Sequence, residues 1–492
     1  MKLNKKKIIK NFFSTVISNL NHSKSVFIQN YKSTYSYKQA KNDIEKINHK
    51  LSFLKREKIA IFSDKSFNYY SAVLAVILSG NIWIQISPSI PLDRIKKILS
   101  ISKTRFGIYD ESFSNKKVLK FNKITFFNLK DVLNQKNKKE IQLPKILPDD
   151  LAMIFFTSGS TGVPKGVKIS YLNFISCSKY QIQKLNYSKA KEVFSDYHDS
   201  SFVMSLVIIF PAVYLNCKIS PLIEKRDKLL PIEHLLKNRI TVLITVPSFL
   251  LYMKTMIEKN KLKLKNLILC GENFSYNLLR LILNNIKFSN IFNLYGSTET
   301  SPWAFYYKFK NKDLKIIQRL GQVPIGKPFS GIKTLINEKK ELLITGSVIS
   351  SGYLDNSKTD AQKKFITIKK RKYYNTGDIV QNLKGIFFCK GRNDSQIKLR
   401  GYRIDTSEIE VLVKKILGVN FAYCFLKNDK DHSYLVLIVM SDKVYKEEFI
   451  KKYLSSNVPI YMIPKNIIFV KNLKFNKNGK VDKIYYRNKF LK

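Results

Sequence analysis

Apolar residues along this chain fall in short runs that break at glycine, proline or hydroxyl clusters, and the runs alternate with stretches of helical periodicity. Residues 25–40 read as a short strand, a turn and a helix start at Ser36-Tyr37, with the helix continuing through Leu51. A serine there supplies the acceptor that first-turn amides need. Residues 58–62 (Lys-Ile-Ala-Ile-Phe) predict a short buried strand, and 66–79 repeat apolar residues at helical spacing before Gly80. Residues 83–86 form another apolar run, ended by Ser87-Pro88, and 91–100 restart a helix. Strands alternating with helices imply parallel βαβ units in a doubly wound sheet. Residues 110–148, charged and rich in Asn and Lys, predict a surface connection, and 151–156 resume the sheet.

Farther along, 171–185 predict a helix, and 241–246, 267–269 and 291–294 predict strands. These strands end in Pro247, in Cys270-Gly271-Glu272 and in Tyr295-Gly296-Ser297-Thr298-Glu299-Thr300. Open α/β sheets bind ligands at that carboxyl edge. From about residue 320 the pattern changes to short strands at 333–336, 341–345 and 387–390, which predicts a distorted β subdomain. Residues 394–492 alternate short strands and helices of their own. The expected fold is α/β: a large N-terminal domain, 1–392, of doubly wound sheets plus the β subdomain, and a small α+β domain, 393–492.

Bulk properties narrow the function. At 492 residues the chain is too long for a single core. Its net charge is +51, from 87 basic and 36 acidic residues. The lysines are spread along the whole chain rather than gathered in a stripe with interleaved aromatics, so the charge does not argue for nucleic acid. An anionic small substrate or an acidic partner protein fits it better. Five cysteines, odd in number and without a C-x-x-C pair, argue against a disulfide framework and structural zinc, and point to a reducing, cytoplasmic setting. Residues 11–20 are too polar for a signal-peptide core. The longest uncharged run, 201–217, contains Pro211 and is short for a spanning helix, so it predicts a buried segment and no membrane span.

The densest chemistry is Thr157-Ser158-Gly159-Ser160-Thr161-Gly162-Val163-Pro164-Lys165-Gly166. Glycines let the backbone approach an anion, successive amides form an anion-binding concavity, and Lys165 adds a point charge. The stretch matches neither G-x-x-x-x-G-K-[ST] nor G-x-G-x-x-G, so it predicts a phosphate loop of another kind. Four more stretches accompany it: Asn293 to Thr300, with an aromatic face, a hydroxyl and a carboxylate; Asn375-Thr376-Gly377-Asp378; the glycine-bracketed Gly391 to Arg403; and the lysine turn Asn478-Gly479-Lys480-Val481-Asp482.

In this order the stretches resemble the adenylate-forming superfamily of acyl-CoA synthetases, amino-acid adenylation domains and luciferases, nearly end to end. Leu320-Gly321-Gln322-Val323-Pro324-Ile325-Gly326-Lys327-Pro328 and Ser351-Gly352-Tyr353-Leu354 are most similar to the amino-acid-activating branch. The resemblance implies that a carboxylate attacks the α-phosphate of ATP, giving an acyl adenylate, and that a thiol then takes the acyl group. The thiol belongs to a carrier protein's phosphopantetheine arm or to CoA. A non-catalytic binding protein on the same fold is the alternative from another class.

By the same resemblance, Thr157, Ser158, Gly159, Ser160, Thr161, Gly162 and Lys165 hold the β/γ-phosphates. Asn293 and Tyr295 contact adenine, Gly296 belongs to the ATP site, Thr298 touches the α-phosphate, and Glu299 positions Mg²⁺. Asp378 accepts from the ribose hydroxyls with Arg392 assisting, and Lys480 reaches over from a mobile small domain that turns about Asp394. The expected acyl pocket involves His198, Asp199, Val203, Cys270, Gly271, Leu294 and Trp303, and the bulk of Trp303 argues for a small acid. One departure bears on the substrate: amino-acid-activating members carry Phe-Asp where this chain has Phe202-Val203. Either the acid lacks an α-amino group, or Asp196 or Asp199 substitutes. His198 is open between a substrate-side place, a thiol-side place and a purely structural one.

Overall fold

Capping serines set the helix starts in the computed structural model, which describes residues 2–21, 25–121, 123–143, 145–159, 162–354, 362–429, 433–474 and 481–491. Ser36 Oγ accepts from the Gln39 amide while the Gln39 side chain accepts from the Ser36 amide, and this reciprocal cap opens the helix Tyr37–Leu51. Ser66 caps Phe67–Leu78 and Ser170 caps Tyr171–Lys184 in the same region of the fold.

Two large sheets carry the N-terminal part. The first orders its six strands Thr125–Asn128, Phe106–Tyr109, Lys58–Phe62, Ile82–Ile86, Leu151–Thr157 and Lys165–Ser170. Its pairs are parallel except the last, where Thr157 faces Lys165 across an antiparallel ladder. The expected phosphate loop is therefore a hairpin connection between two strands, with both of its ends fixed in one ladder. The second sheet has nine strands, and its central members Ile286–Tyr295, Leu262–Cys270, Val242–Thr245, Val193–Asp196 and Lys218–Pro221 run parallel. The β subdomain is a five-stranded antiparallel sheet built on the long strand Arg371–Leu383.

Four elements are not expected from the sequence. The 110–148 stretch contributes the strand Thr125–Asn128 and the helix Leu129–Asn134, so it extends the first sheet rather than only crossing the surface. Lys165–Ser170 is a strand, although its lysines and glycine read as loop. The helix Lys2–Leu20 buries Ile9, Phe12, Phe13, Val16 and Leu20, and Phe12 stacks on Tyr214 with ring centroids 5.0 Å apart. That aromatic anchor comes from Leu206–Tyr214, the helix inside the uncharged run, whose residues 206–213 are all buried. Among the described residues no helix is long and apolar enough to cross a membrane.

After Arg392 come a hairpin, Gln396–Leu399 with Tyr402–Asp405, then a three-stranded sheet flanked by Thr406–Val413, Glu447–Asn457 and Lys483–Leu491. Among the described residues, no hydrophobic cluster mixes side chains from before and after Arg392.

Candidate active site

A cleft opens where the carboxyl ends of the nine-stranded sheet meet the 396–405 hairpin. The lining includes Val203, Cys270, Gly271, Gly296, Thr298, Trp303, Asp378 and Arg392 from the sequence expectation, and adds Lys398, Gly401 and Arg403. Glycine is obligatory at two of these positions. A Cβ at Gly296 would lie 2.0 Å from the Pro302 carbonyl, and one at Gly401, where φ is +80°, would lie 2.6 Å from Val246 Cγ1. The turn after Gly296 becomes a short helix Thr298–Thr300 capped by Ser297, which directs Glu299 into the interior.

Glu299 is almost fully buried. Its Oε1 accepts from the Tyr353 hydroxyl at 2.7 Å and its Oε2 from Arg403 at 2.7 Å. Burial pushes this carboxyl up, but the Arg403 guanidinium and the Tyr353 hydroxyl more than offset it and hold the group at about 2. An ionised carboxylate is thus buried against Arg403, which itself lines the cleft.

Asp378 is tied on both oxygens. Arg392 donates to Oδ1 at 2.5 Å and the Tyr295 hydroxyl donates to Oδ2. Arg392 also donates to Asp394, the Thr376 carbonyl and Gln396, and Lys364 pairs with Asp394 at 2.9 Å. Burial raises the Asp394 carboxyl, but Arg392 and Lys364 draw it down to about 2. The expected hinge residue is therefore held by two cations here. Lys398 sits 5.5 Å from the Tyr295 ring centroid, on the aromatic side chain expected to meet adenine, and Asn293 donates to the Pro324 carbonyl at 2.8 Å.

The phosphate loop meets the C-terminal part directly. Ser158 Oγ accepts from the Asp405 amide and donates to the Arg403 carbonyl, both at 3.0 Å. The Gly159 amide donates to Glu408 Oε2 at 3.0 Å, and the other oxygen of Glu408 pairs with Arg94 at 2.6 Å, with both side chains buried. A carboxylate thus rests on an amide of the loop expected to hold anions. Gly162 is left-handed at φ +76°, and burial lowers the Lys165 ammonium below its ordinary value. Ser160, Thr161 and Lys480 lie outside the described residues.

The remaining expected acyl-pocket residues do not line the cleft. Leu294 is buried in the sheet core. His198 is buried with its Nε2 unpartnered, and burial, reinforced by Lys65, pushes its imidazole down to about 3. Asp199 accepts from Ser87, Ser89 and Ser201. Asp196 is fully buried against Lys65 and the Tyr70 hydroxyl. Arg94, Glu408 and Arg403 escaped the sequence reading because their partners are 104 to 314 residues away. The hint available was the density of charge and glycine between Gly391 and Arg403.

Residues 18–354 match the family described as AMP-binding enzyme, and the chain belongs to that family. It is an adenylate-forming ligase, a class that consumes ATP. Among its relatives is the D-alanine–D-alanyl carrier protein ligase of Staphylococcus aureus, strain Newman, 28% identical over 474 residues that span 93% of this chain and 95% of that protein. The fold is shared with the Vibrio cholerae adenylation domain AlmE solved with glycyl-adenosine-5'-phosphate: TM-score 0.82, 18% identity, 98% of this chain and 97% of that one. It is shared too with NpsA-ThdA of Klebsiella oxytoca, an artificially fused adenylation–PCP di-domain: TM-score 0.81, 20% identity, 93% of each chain.

Proposed function

We propose that this chain joins a small carboxylic acid to the phosphopantetheine thiol of a carrier protein by way of an acyl adenylate. The observation that carries the reading is a cleft on the carboxyl edge of the sheet lined by Asp378 and Arg392, whose Arg403 reaches from it to the buried Glu299 and, through its carbonyl, to Ser158 of the 157–165 loop. The carrier-protein relative and the fused adenylation–PCP neighbour support the acceptor.

In the first half-reaction a carboxylate oxygen attacks the α-phosphorus of ATP and the bond to the bridging oxygen of pyrophosphate breaks. Such a transfer needs positioning and charge neutralisation more than covalent help. The amides and hydroxyls of the loop and Lys165 hold the β- and γ-phosphates. Asp378 orients the ribose, with Arg392 fixing its carboxylate, and Tyr295 and Asn293 flank the base. Thr298 bonds the α-phosphate, and Lys480 brings a positive charge to the oxygens where charge accumulates.

Glu299 is the residue that would hold a divalent cation once Arg403 leaves with the hairpin, because both of its oxygens are bonded here, to Tyr353 and Arg403. The carboxylate is ionised, buried and already bonded to a cation, the Arg403 guanidinium. Bound there, the ion would neutralise phosphate charge.

In the second half-reaction the thiol sulfur attacks the acyl carbon, AMP leaves and the thiol proton is lost. We assign the arrangement with Gly401 and Arg403 in the cleft to this step. Residues 393–492 form a lid that turns about Asp394 and exchanges the hairpin for Lys480. The protein works in the cytoplasm, a setting suited to its unpaired cysteines.

The test is product analysis. Purified chain, ATP, Mg²⁺ and a panel of small acids should yield AMP and pyrophosphate, and a pantetheinylated carrier protein should gain the acyl mass. Acyl transfer to free CoA and not to the carrier would replace this reading with that of an acyl-CoA ligase. Nucleotide binding without turnover of any acid would replace it with that of a binding protein.

A further inference from the structure

The charge around the cleft limits what acid can enter. An α-ammonium is two bonds from the carboxyl carbon, so it must sit in the same cleft as the reacting carboxylate. A buried ammonium needs a carboxylate partner there, because an uncompensated buried charge is strongly disfavoured.

Among the described residues, the cleft lining holds three cationic side chains, Arg392, Lys398 and Arg403, against one carboxylate, Asp378. Asp378 is already occupied on both oxygens by Arg392 and Tyr295. The nearby acids are spent elsewhere. Asp196 is neutralised by Lys65 and bonded by Tyr70, with no exposed surface. Asp199 accepts from three serine hydroxyls, and Glu272 accepts from Ser248 and from the Gly401 amide. Neither lines the cleft. Glu299 is held by Arg403. In contrast, Phe202, Val203, Met204, Val246 and Trp303 give the cleft an apolar wall.

We infer that the substrate is a small monocarboxylic acid with an apolar tail and no α-amino group. This rests on the ligase reading above. The apolar wall receives the tail, and an ammonium beside it would meet, among the described residues, no cleft-lining carboxylate with a free oxygen. Val203 is the position from which a carboxylate side chain would reverse the preference, since it is buried and lines the cleft.

The experiment compares matched pairs in acid-dependent ATP–pyrophosphate exchange on the full chain: propanoate against D- and L-alanine, and 2-methylpropanoate and 3-methylbutanoate against valine and leucine. The des-amino member should win by about 100-fold or more in kcat/KM, the factor expected for an unpaired buried charge. Val203→Asp should shrink that ratio at least about tenfold, with Val203→Asn as the uncharged control that leaves it in place. Tryptophan fluorescence, from Trp83 and Trp303, and AMP binding report whether the variants fold. Preference of the wild-type chain for the amino acids would overturn the inference and leave the ligase reading intact. Exchange with neither class would overturn the ligase reading itself, and the inference with it.

Discussion

Replacing Glu299 with glutamine should destabilise the docked C-terminal part by about 3 kcal/mol, and the reason is the buried pair it forms with Arg403. The carboxyl is held at about 2 against an ordinary value of 4.5. At about 1.36 kcal/mol per pH unit, that difference corresponds to about 3 kcal/mol of native-state stabilisation. Removing one partner from a buried ion pair costs a similar amount, about 3–5 kcal/mol, since the other charge stays behind. The sign with pH follows from the lowered value. The contribution is complete above about 4.5, falls as the native carboxyl protonates and is gone below about 2. Urea unfolding followed by tryptophan emission, from Trp83 and from the cleft-lining Trp303, and repeated between pH 7 and pH 3, reads both effects. Glu299→Gln should lower the midpoint at pH 7 and lose part of the acid-dependent slope. Arg403→Gln added to Glu299→Gln should recover stability, because the stranded guanidinium is gone. A Glu299→Gln variant within about 0.5 kcal/mol of the wild type, with an unchanged acid limb, would refute the buried-pair argument.

Other perturbations separate the parts of the cleft. Gly296→Ala should abolish exchange and lower the unfolding midpoint, because its Cβ would meet the Pro302 carbonyl at 2.0 Å. Gly401→Ala should slow acyl transfer to the thiol more than adenylate formation, measured as carrier loading against exchange, since the added methyl blocks only the hairpin's seat against Val246. Arg94→Met leaves Glu408 buried without its cation and should weaken lid docking, read as faster limited proteolysis between 393 and 396. Asp378→Asn should raise the KM for ATP by about 10-fold or more with a smaller change in kcat, since it removes an acceptor whose partner Arg392 remains.

Local signals carried much of the fold. The helix Tyr37–Leu51 was legible because Ser36 and Gln39 make a reciprocal cap inside four residues, and strands such as Lys58–Phe62 because five apolar-rich positions sit between polar breaks. Lys165–Ser170 was not legible, since Lys165 and Gly166 extend the loop's composition and only pairing with Leu151–Thr157 makes a strand of them. Thr125–Asn128 was hidden by the lysines and asparagines around it. The cleft divided along the same line. Gly296, Thr298, Asp378 and Arg392 stand in short motifs whose chemistry shows locally. The Arg94–Glu408 pair, the Lys65–Asp196 pair and the seat of Gly401 against Val246 exist only because distant segments meet. The neutralisation of Asp196 was invisible for that reason, and with it went the strongest local argument for a substrate ammonium partner.

Acid-dependent exchange of labelled pyrophosphate into ATP tests the central claim most directly, because only a reversible acyl adenylate returns the label. The wild-type chain should catalyse exchange that requires a small carboxylic acid and Mg²⁺, and Lys480→Ala should lose most of it while still binding AMP. Full exchange by Lys480→Ala would contradict the lysine's place in the first half-reaction. No exchange by the folded, nucleotide-binding wild type with any acid would contradict the account as a whole.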